Sequence, residues 1–179
     1  MGKKELRTQM IQALASISDE RKEEASSLAC CFLLDLFLKE PGTKVLSFAS
    51  KDSEINLWPL NQWLAGEQRL LLPKVEGDLL HIYEVEGLAQ LKVVSWGLQE
   101  PDPTLCKKAS LEEVRVVLVP SICFDDNKHR IGYGHGFYDR FLATIPGTLK
   151  WGIGLKEQKL STAIPSHPSD VVLDELFLF

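Results

Sequence analysis

The clearest strand in the sequence is VRVVLVP, which spans residues 114–120. β-Branched and apolar residues dominate it, and this composition is typical of a strand that is buried on both faces of a parallel sheet. A polar loop and three alternating glycines follow, and a helical pattern then runs from about Tyr138 to Ile145. The succession of buried strand, glycine-rich turn and helix predicts one unit of an α/β fold.

Helical patterns occur at three further places, over residues 3–15, about 19–39 and about 56–64. Ser18 and Asn56 are suited to cap the second and third helices, because their side chains accept hydrogen bonds from free backbone N–H groups. The apolar face of the second helix is predicted from five residues at three- and four-residue spacing: Ala25, Leu28, Ala29, Phe32 and Leu36.

Strand patterns alternate with these helices. They are predicted at residues 44–49, 69–73, 79–85 and 151–155, and residues 171–173 lead into the last segment. Alternating helices and strands favour the α/β class with a mainly parallel sheet. No internal repeat or low-complexity linker divides the chain, so a single domain over residues 1–179 is predicted.

The composition is that of a globular protein. Of the 179 residues, 45% are hydrophobic and 25% are charged, which is close to the average for folded domains. The net charge of −5 provides no general attraction for nucleic acid or for an anionic membrane, and we expect neither as a partner. An anionic substrate would therefore need a local basic patch.

The cysteine spacing and the amino-terminal residues argue against a zinc or redox protein, a secreted protein and a membrane protein. The four cysteines form no C-x-x-C pair, which favours reduced structural thiols over a zinc site or a redox pair. The opening residues MGKKELR are charged where a secretory signal is apolar, and no apolar run is long enough to cross a bilayer. We therefore expect a cytoplasmic protein, and we expect it to be a monomer.

The stretch RIGYGHGFYDR, residues 130–140, carries most of the chemical information. Its glycines allow positive φ angles and let an anion approach the backbone N–H groups, and the helix that follows adds its own free N–H donors. Arg130 and Arg140 supply guanidinium groups that match phosphate, and Asp139 is an oxygen ligand suited to Mg²⁺. The combination favours binding of a phosphorylated ligand.

Glycine spacing alone is a weak signal. The pattern is neither the dinucleotide fingerprint G-x-G-x-x-G nor the phosphate loop G-x-x-x-x-G-K-[ST]. The alternative is a glycine-rich turn with both arginines on a solvated surface. In either case Arg130 is expected to be exposed, so its replacement would change the free energy of unfolding little.

The order of five motifs resembles the 5-formyltetrahydrofolate cyclo-ligase family, also called 5,10-methenyltetrahydrofolate synthetase. The similarity covers nearly the whole chain. The motifs are Lys3-x-x-Leu6-Arg7, Ser53-Glu54-Ile55, Gly97-Leu98-Gln99-Glu100-Pro101, the stretch 130–140 after Val119-Pro120 and Phe124-Asp125, and Asp170-x-x-x-Asp174.

The resemblance implies a three-layer α/β/α fold and an ATP-dependent reaction. In that reaction 5-formyltetrahydrofolate, with or without a polyglutamate tail, closes to 5,10-methenyltetrahydrofolate, and ADP and phosphate are released. An N-formyl amide is a poor electrophile, so its oxygen is first phosphorylated to an iminium phosphate, which N10 then attacks. Positioning and neutralisation of a transferring phosphoryl group are the main tasks of such a site.

The resemblance also implies three sets of residues. The ATP contacts are Lys3, Lys4, Arg7, Arg130, Gly132, Tyr133, Gly134, His135, Gly136, Phe137, Tyr138 and Arg140. The folate contacts are Ala49, Glu54 and Trp96. The Mg²⁺ ligands are Asp139 and Asp174.

Each of these residues also has a structural interpretation. Lys3 and Arg7 lie one helical turn apart, where both can reach one polyphosphate or form a solvated basic turn. Glu54 is either a surface acid or a hydrogen-bond acceptor for the pterin. Trp96 is either part of the core or a stacking wall, and Asp174 is a metal ligand or a surface acid.

Two positions depart from the family pattern. Lys128 stands where the family commonly has glycine, which puts the shape of the loop in doubt. Phe137 stands where the family usually has the first of two tyrosines, which removes a hydroxyl group. Two alternatives therefore stay open: a folate- or nucleotide-binding protein without turnover, and a different phosphate-handling enzyme on a similar scaffold.

Overall fold

The computed structural model of the chain describes residues 2–94 and 97–179. Four α-helices occur in the described residues: α1 (Lys3–Ala15), α2 (Asp19–Leu38), α3 (Trp58–Gly66) and α4 (Phe137–Ala143). The strands are β1 (Val45–Leu46), β2 (Leu70–Glu76), β3 (Leu79–Glu84), β4 (Leu91–Val93), β5 (Gln99–Pro101), β6 (Lys107–Lys108), β7 (Val116–Val119), β8 (Cys123–Phe124), β9 (Arg130–Ile131), β10 (Leu149–Gly154) and β11 (Glu175–Leu178).

Seven strands form the central sheet, in the order β11-β10-β7-β1-β2-β3-β6. The five strands from β11 to β2 run parallel, whereas β3 and β6 are antiparallel to their neighbours. The sequence prediction of a mainly parallel sheet is confirmed. Two antiparallel pairs, β4–β5 and β8–β9, lie outside this sheet and were not predicted.

Helices cover both faces of the sheet. Along β7, Val116 and Leu118 are part of the core that includes α1, α2 and α3, whereas Val117 and Val119 pack on the opposite side, in the core with α4. Successive side chains of a strand point to opposite faces, so one strand contributes to both cores. The predicted three-layer arrangement and the burial of both faces of this strand are confirmed.

The apolar face of α2 differs from the prediction. The buried residues are Ala25, Ser26, Ala29, Leu33 and Phe37. Leu28 and Phe32 are 51% and 38% exposed. Apolar residues occupy two neighbouring stripes of this helix, so spacing alone does not select the stripe that faces the sheet.

Helix starts follow the local chemistry. The Ser18 side chain accepts a hydrogen bond from the Arg21 N–H at 3.2 Å, as expected of the N-cap. Asn56 Oδ1 accepts a hydrogen bond from the Trp58 N–H at 2.9 Å, although Leu57 is the residue at the N-cap itself. In the part of the chain that the structure describes, no helix combines the length and apolarity that a bilayer crossing requires.

Strand β1 marks the point at which the chain reverses its direction across the sheet. Its neighbours are β2 on one side and β7 on the other. In open α/β sheets, ligands bind in the crevice outside the carboxyl ends of the strands at such a point. The segments that follow β1 and β7 are therefore the expected walls of a binding site.

Candidate functional site

A cavity of about 990 Å³ opens at the carboxyl ends of β1 and β7. Phe48 and Ala49 line it after β1, and Pro120 lines it after β7. Further parts of the wall come from Lys3 and Arg7 of α1, from Leu98, Gln99 and Glu100, from residues 130–140, and from residues 168–171. The fold therefore brings distant motifs to one place.

The glycine-rich segment has the backbone shape that only glycine adopts readily. Gly134 has φ +105° and Gly136 has φ +67°, both in the left-handed region. A Cβ atom at Gly136 would lie 2.9 Å from Arg140 Nη1, and one at Gly134 would lie 3.4 Å from Arg7 Cζ. These two glycines are needed for conformation and for close approach, whereas a side chain at Gly132 would meet open space.

Helix α1 places two cations at the cavity. Arg7 Nε donates a hydrogen bond to the Gly132 carbonyl at 2.9 Å, which ties the helix to the glycine-rich segment. Lys3 forms an ion pair with Asp170. Both side chains line the cavity, as expected for residues one turn apart. Lys4 is exposed and does not line it.

Arg130 is buried, contrary to the expectation of an exposed guanidinium group. It is 8% exposed, Nη1 donates to the Val171 carbonyl at 2.7 Å, and Nη2 donates to Asp139 Oδ1 at 2.7 Å. The same Asp139 oxygen accepts the Val171 N–H at 3.1 Å. Burial and satisfied donors make Arg130 a structural tie between α4 and the segment before β11, with one edge at the cavity.

Phe137 lies between two polar side chains. The His135 ring stacks on it with centroids 5.6 Å apart, and Arg140 Cζ lies 5.3 Å from its centroid. Arg140 also donates hydrogen bonds to the carbonyls of His135 and Asp78, each at 3.0 Å. Phe137 therefore forms an apolar wall whose position is fixed by its neighbours.

Glu54 is a buried acid in the cavity wall, only 8% exposed. Its Oε2 accepts the Lys51 N–H at 3.0 Å, and its Oε1 accepts the Tyr133 hydroxyl at 2.9 Å. Burial raises the pKa of this carboxyl group, and the two hydrogen bonds only partly oppose the increase. A buried acceptor of this kind suits a ligand that presents N–H donors.

Tyr138 is half-buried beside Glu54. Burial raises the pKa of its phenol, and the charge of Glu54 adds to the increase. Its hydroxyl group has no hydrogen-bond partner among residues 2–94 and 97–179. The group is therefore free to contact a ligand as a neutral donor or acceptor.

The structure does not bring Asp174 to the cavity. Asp174 precedes β11 at the amino end of the sheet, and its Oδ2 accepts the Lys150 N–H at 2.7 Å. Asp139 does line the cavity, and its Oδ2 accepts no hydrogen bond from the described residues. Within those residues no three His, Cys, Asp or Glu side chains are grouped to hold a metal ion. The pairing of the two aspartates on one ion, completed by phosphate and water, stays a prediction, with Asp139 in the cavity wall and Asp174 outside it.

Lys128 has a backbone conformation that favours glycine. Its φ is +63°, in the β8–β9 turn, where Asp125 Oδ1 accepts the N–H groups of Asn127 and His129 at 3.0 and 2.9 Å. Lys128 therefore adopts in this turn the left-handed conformation that a glycine would adopt more readily.

Sequence reasoning gave no role to several residues of the cavity wall. Lys51 Nζ lies 4.0 Å from the centroid of the Tyr133 ring. Glu100, buried on β5, accepts a hydrogen bond from Lys74 Nζ at 3.1 Å and holds the β4–β5 pair against β2. The available signal for Glu100 was its place in the motif Gly97-Leu98-Gln99-Glu100-Pro101. Trp96 lies outside the described residues.

The chain is similar to proteins of one family over nearly its whole length. Residues 1–178 match the profile of the 5-formyltetrahydrofolate cyclo-ligase family. The 5-formyltetrahydrofolate cyclo-ligase of Mycolicibacterium smegmatis is 28% identical, over 96% of this chain and 91% of that protein. The probable 5-formyltetrahydrofolate cyclo-ligase of Caenorhabditis elegans is 27% identical, over 97% of this chain and 91% of that protein.

Solved structures show the same relationship. The 5,10-methenyltetrahydrofolate synthetase of Aquifex aeolicus superposes with a TM-score of 0.85 at 31% identity, over 98% of this chain and 89% of that one. The synthetase of Mycoplasma pneumoniae has a TM-score of 0.78 at 23% identity, over 98% of both chains, and supports the fold alone.

Proposed function

The chain belongs to the 5-formyltetrahydrofolate cyclo-ligase family, and we propose that it closes 5-formyltetrahydrofolate to 5,10-methenyltetrahydrofolate with ATP as co-substrate. One observation carries this proposal. The glycine-rich segment with Arg7 and the buried acid Glu54 face the same cavity of about 990 Å³. A surface suited to phosphate and an acid suited to the pterin N–H groups therefore line the same cavity.

The phosphate half of the reaction uses cations and backbone donors. The formyl oxygen attacks the γ-phosphorus, the bond to ADP breaks, and an iminium phosphate forms. Arg7 and Lys3 line the side of the cavity where the negative charge develops, next to the N–H groups of residues 132–136. Preorganised donors of this kind stabilise a transferring phosphoryl group.

The ring closure uses the folate half. N10 attacks the activated carbon, the carbon–oxygen bond breaks, and phosphate leaves. The pterin N–H groups are donors that match the Glu54 carboxylate, while Ala49 supplies only shape. Phe137 contributes an apolar wall and Tyr138 a free hydroxyl group. Stacking on Trp96 stays a prediction.

Magnesium fits this cavity only as a partner of the nucleotide. Asp139 Oδ2 offers one oxygen, and the other ligands would come from phosphates and water, which is the usual environment of Mg²⁺ in such enzymes. When bound, the ion would neutralise phosphate charge. We propose Asp139 as its protein ligand, and the part of Asp174 is to be decided by experiment.

A side cavity of about 320 Å³ suits the folate tail. It lies between β3 and α4 and shares Leu80, Phe137 and Arg140 with the main cavity. Its wall is largely apolar, and its cations Lys108 and Arg140 outnumber Asp78, the acid among its described lining residues. We propose that the aryl group passes along Phe137 and that the glutamate carboxylates reach Lys108.

The alternative of a binding protein without turnover rested on Lys128 and Phe137. Lys128 keeps the left-handed turn, and Phe137 keeps the apolar wall, so neither departure disrupts the cavity. We further propose that the enzyme works as a monomer in the cytoplasm, without a nucleic-acid or membrane partner. Size-exclusion chromatography with light scattering tests the oligomeric state.

A direct assay tests the proposed reaction. The protein is mixed with 5-formyltetrahydrofolate, ATP and Mg²⁺, and the near-ultraviolet band of the methenyl product is followed. We expect one ADP for each product and no product without nucleotide or in excess EDTA. Product formation at full rate without ATP would contradict the phosphorylation step. Tight binding of both ligands without turnover would favour the binding-protein alternative.

A further inference from the structure

Tyr133 connects the two halves of the cavity. It belongs to the glycine-rich segment, yet its hydroxyl donates a hydrogen bond to Glu54 Oε1 at 2.9 Å, across 79 positions of sequence. The Lys51 ammonium group lies 4.0 Å from the centroid of its ring. One side chain thus joins the loop proposed to bind phosphates to the acid proposed to bind the pterin.

The backbone beside Tyr133 is tied to the phosphate side. Arg7 Nε donates to the carbonyl of Gly132, the preceding residue, at 2.9 Å. Gly134, the following residue, has φ +105° and lies against the Arg7 guanidinium group. An ATP polyphosphate that engages Arg7 and these N–H groups therefore acts on the two residues that flank Tyr133.

The two hydrogen bonds to Glu54 differ in how easily a ligand can replace them. The Lys51 N–H is part of a backbone turn, which is closed by a hydrogen bond from the Glu54 N–H to the Lys51 carbonyl at 2.9 Å. Tyr133 is 41% exposed and lies between two glycines. The hydroxyl at Oε1 is the contact that can move.

We infer that Tyr133 is a latch on Glu54 that both ligands must release, so that the nucleotide and the folate bind cooperatively. A pterin N–H replaces the hydroxyl at Oε1, and a polyphosphate shifts the loop that carries it. The ligand that binds first must break the Tyr133–Glu54 hydrogen bond, which weakens its binding. The second ligand finds this bond already broken and binds more tightly. By linkage, each ligand strengthens the binding of the other by the same factor. This inference rests on the proposed function.

Tyr133→Phe tests the latch, because it keeps the ring under Lys51 and removes only the hydroxyl. Tyr83→Phe is the matched control: the Tyr83 hydroxyl donates to Glu76 Oε1 at 2.8 Å, and neither residue lines the main cavity. The dissociation constant of 5-formyltetrahydrofolate is measured by calorimetry with and without a non-hydrolysable ATP analogue. Thermal unfolding of each variant checks that it is folded.

We expect the analogue to tighten folate binding to the wild type about two- to tenfold, the change that corresponds to one net hydrogen bond. In Tyr133→Phe, folate alone should bind more tightly by that factor, and the analogue should add nothing. Tyr83→Phe should behave like the wild type.

Other outcomes would overturn the latch. Weaker folate binding by Tyr133→Phe alone would mean that the hydroxyl holds the substrate. An unchanged ratio in this variant, or a wild-type ratio of one, would mean that the two sites are not coupled through Tyr133. If the wild type failed to bind either the folate or the ATP analogue, the proposed function would be overturned, and the latch with it.

Discussion

Asp139 Oδ1 receives two hydrogen bonds, from Arg130 Nη2 at 2.7 Å and from the Val171 N–H at 3.1 Å. Arg130 also contacts Val171 directly, because its Nη1 donates a hydrogen bond to the Val171 carbonyl at 2.7 Å. The three residues form a closed set that holds the start of α4 against the segment before β11. This set links the stability of the fold to the wall of the cavity.

Arg130→Ala should therefore destabilise the protein as well as reduce its activity. Loss of the guanidinium group leaves the Val171 carbonyl without its donor and Asp139 without its ion-pair partner, with only the Val171 N–H remaining, and we expect this to lower the free energy of unfolding by about 2–4 kcal/mol. Arg140→Ala, which removes an exposed guanidinium group, is the control and should cost less than about 1 kcal/mol. Urea denaturation measures both. Equal losses in the two variants would contradict the structural role of Arg130.

The dependence on Mg²⁺ should separate Asp139 from Asp174. Asp139→Asn removes the charge at the cavity, and we expect it to raise the Mg²⁺ concentration for half-maximal activity. Asp174→Asn keeps an oxygen that can accept the Lys150 N–H and removes only the charge, so we expect a loss of stability of at most about 1 kcal/mol and an unchanged Mg²⁺ requirement. Magnesium titrations of activity decide the question. A large shift for Asp174→Asn would restore the metal site predicted from sequence.

Glu54 should make the protein less stable as the pH rises. Its ordinary pKa is 4.5 and burial raises it in the folded state, so the folded protein holds the proton more tightly than the unfolded chain. Stability from this group is present below pH 4.5 and is lost as the pH rises through the higher folded value. Glu54→Gln should therefore melt at a higher temperature than the wild type at neutral pH, and the gap should close in acid. A difference in melting temperature that does not change with pH would contradict the raised pKa of Glu54 as its cause.

Phe137→Tyr should change activity only modestly. The ring already fills the space between His135 and Arg140, and the new hydroxyl adds one hydrogen bond, worth about 0.5–1.5 kcal/mol. At most roughly a tenfold change in kcat/KM is expected. Phe137→Ala, which removes the wall, should cost more. Rescue of an inactive wild type by the tyrosine would show instead that this hydroxyl is essential.

The binding of a polyglutamylated folate should depend on Lys108 but not on the adjacent Lys107. Lys108 lines the side cavity, whereas Lys107 pairs with Glu84 at 2.9 Å and does not line it. Lys108→Ala should raise KM for a polyglutamylated substrate about two- to fivefold, which is the scale of one exposed ion pair. The KM for the monoglutamate should change less, and Lys107→Ala should leave both unchanged. Equal effects of the two lysines would argue against this path for the tail.

Local patterns predicted those parts of the fold that local interactions determine. The bounds of α1, the cap at Ser18 and the buried strand predicted at residues 114–120, which the structure has as Val116–Val119, depend on propensity, capping and burial on both faces. The apolar stripe of α2 was misplaced, because the partner surface selects between two stripes. Phe32 packs against Phe177 of β11 and against Phe179, the residue after β11, with ring centroids 5.0 and 5.7 Å apart, and no local pattern signals these contacts.

The candidate site shows the same division. Its composition was predicted from motifs, and the cavity does collect the segment 130–140 with Arg7 and Glu54. The motifs could not show that Arg130 is buried or that Asp174 faces Lys150. The burial of Arg130 depends on the segment that packs against α4, and the position of Asp174 depends on the pairing of β10 with β11. The bond between Tyr133 and Glu54 likewise exists only after two loops have met.

Helix α1 contacts segments that lie far from it in the sequence. Arg7 reaches Gly132, 125 positions away, and Lys3 reaches Asp170, 167 positions away. During synthesis this helix leaves the ribosome before the segments that it contacts, so its cations meet these partners only after the chain up to Asp170 has emerged. An interrupted translation product can therefore fold individual elements but cannot assemble the cavity.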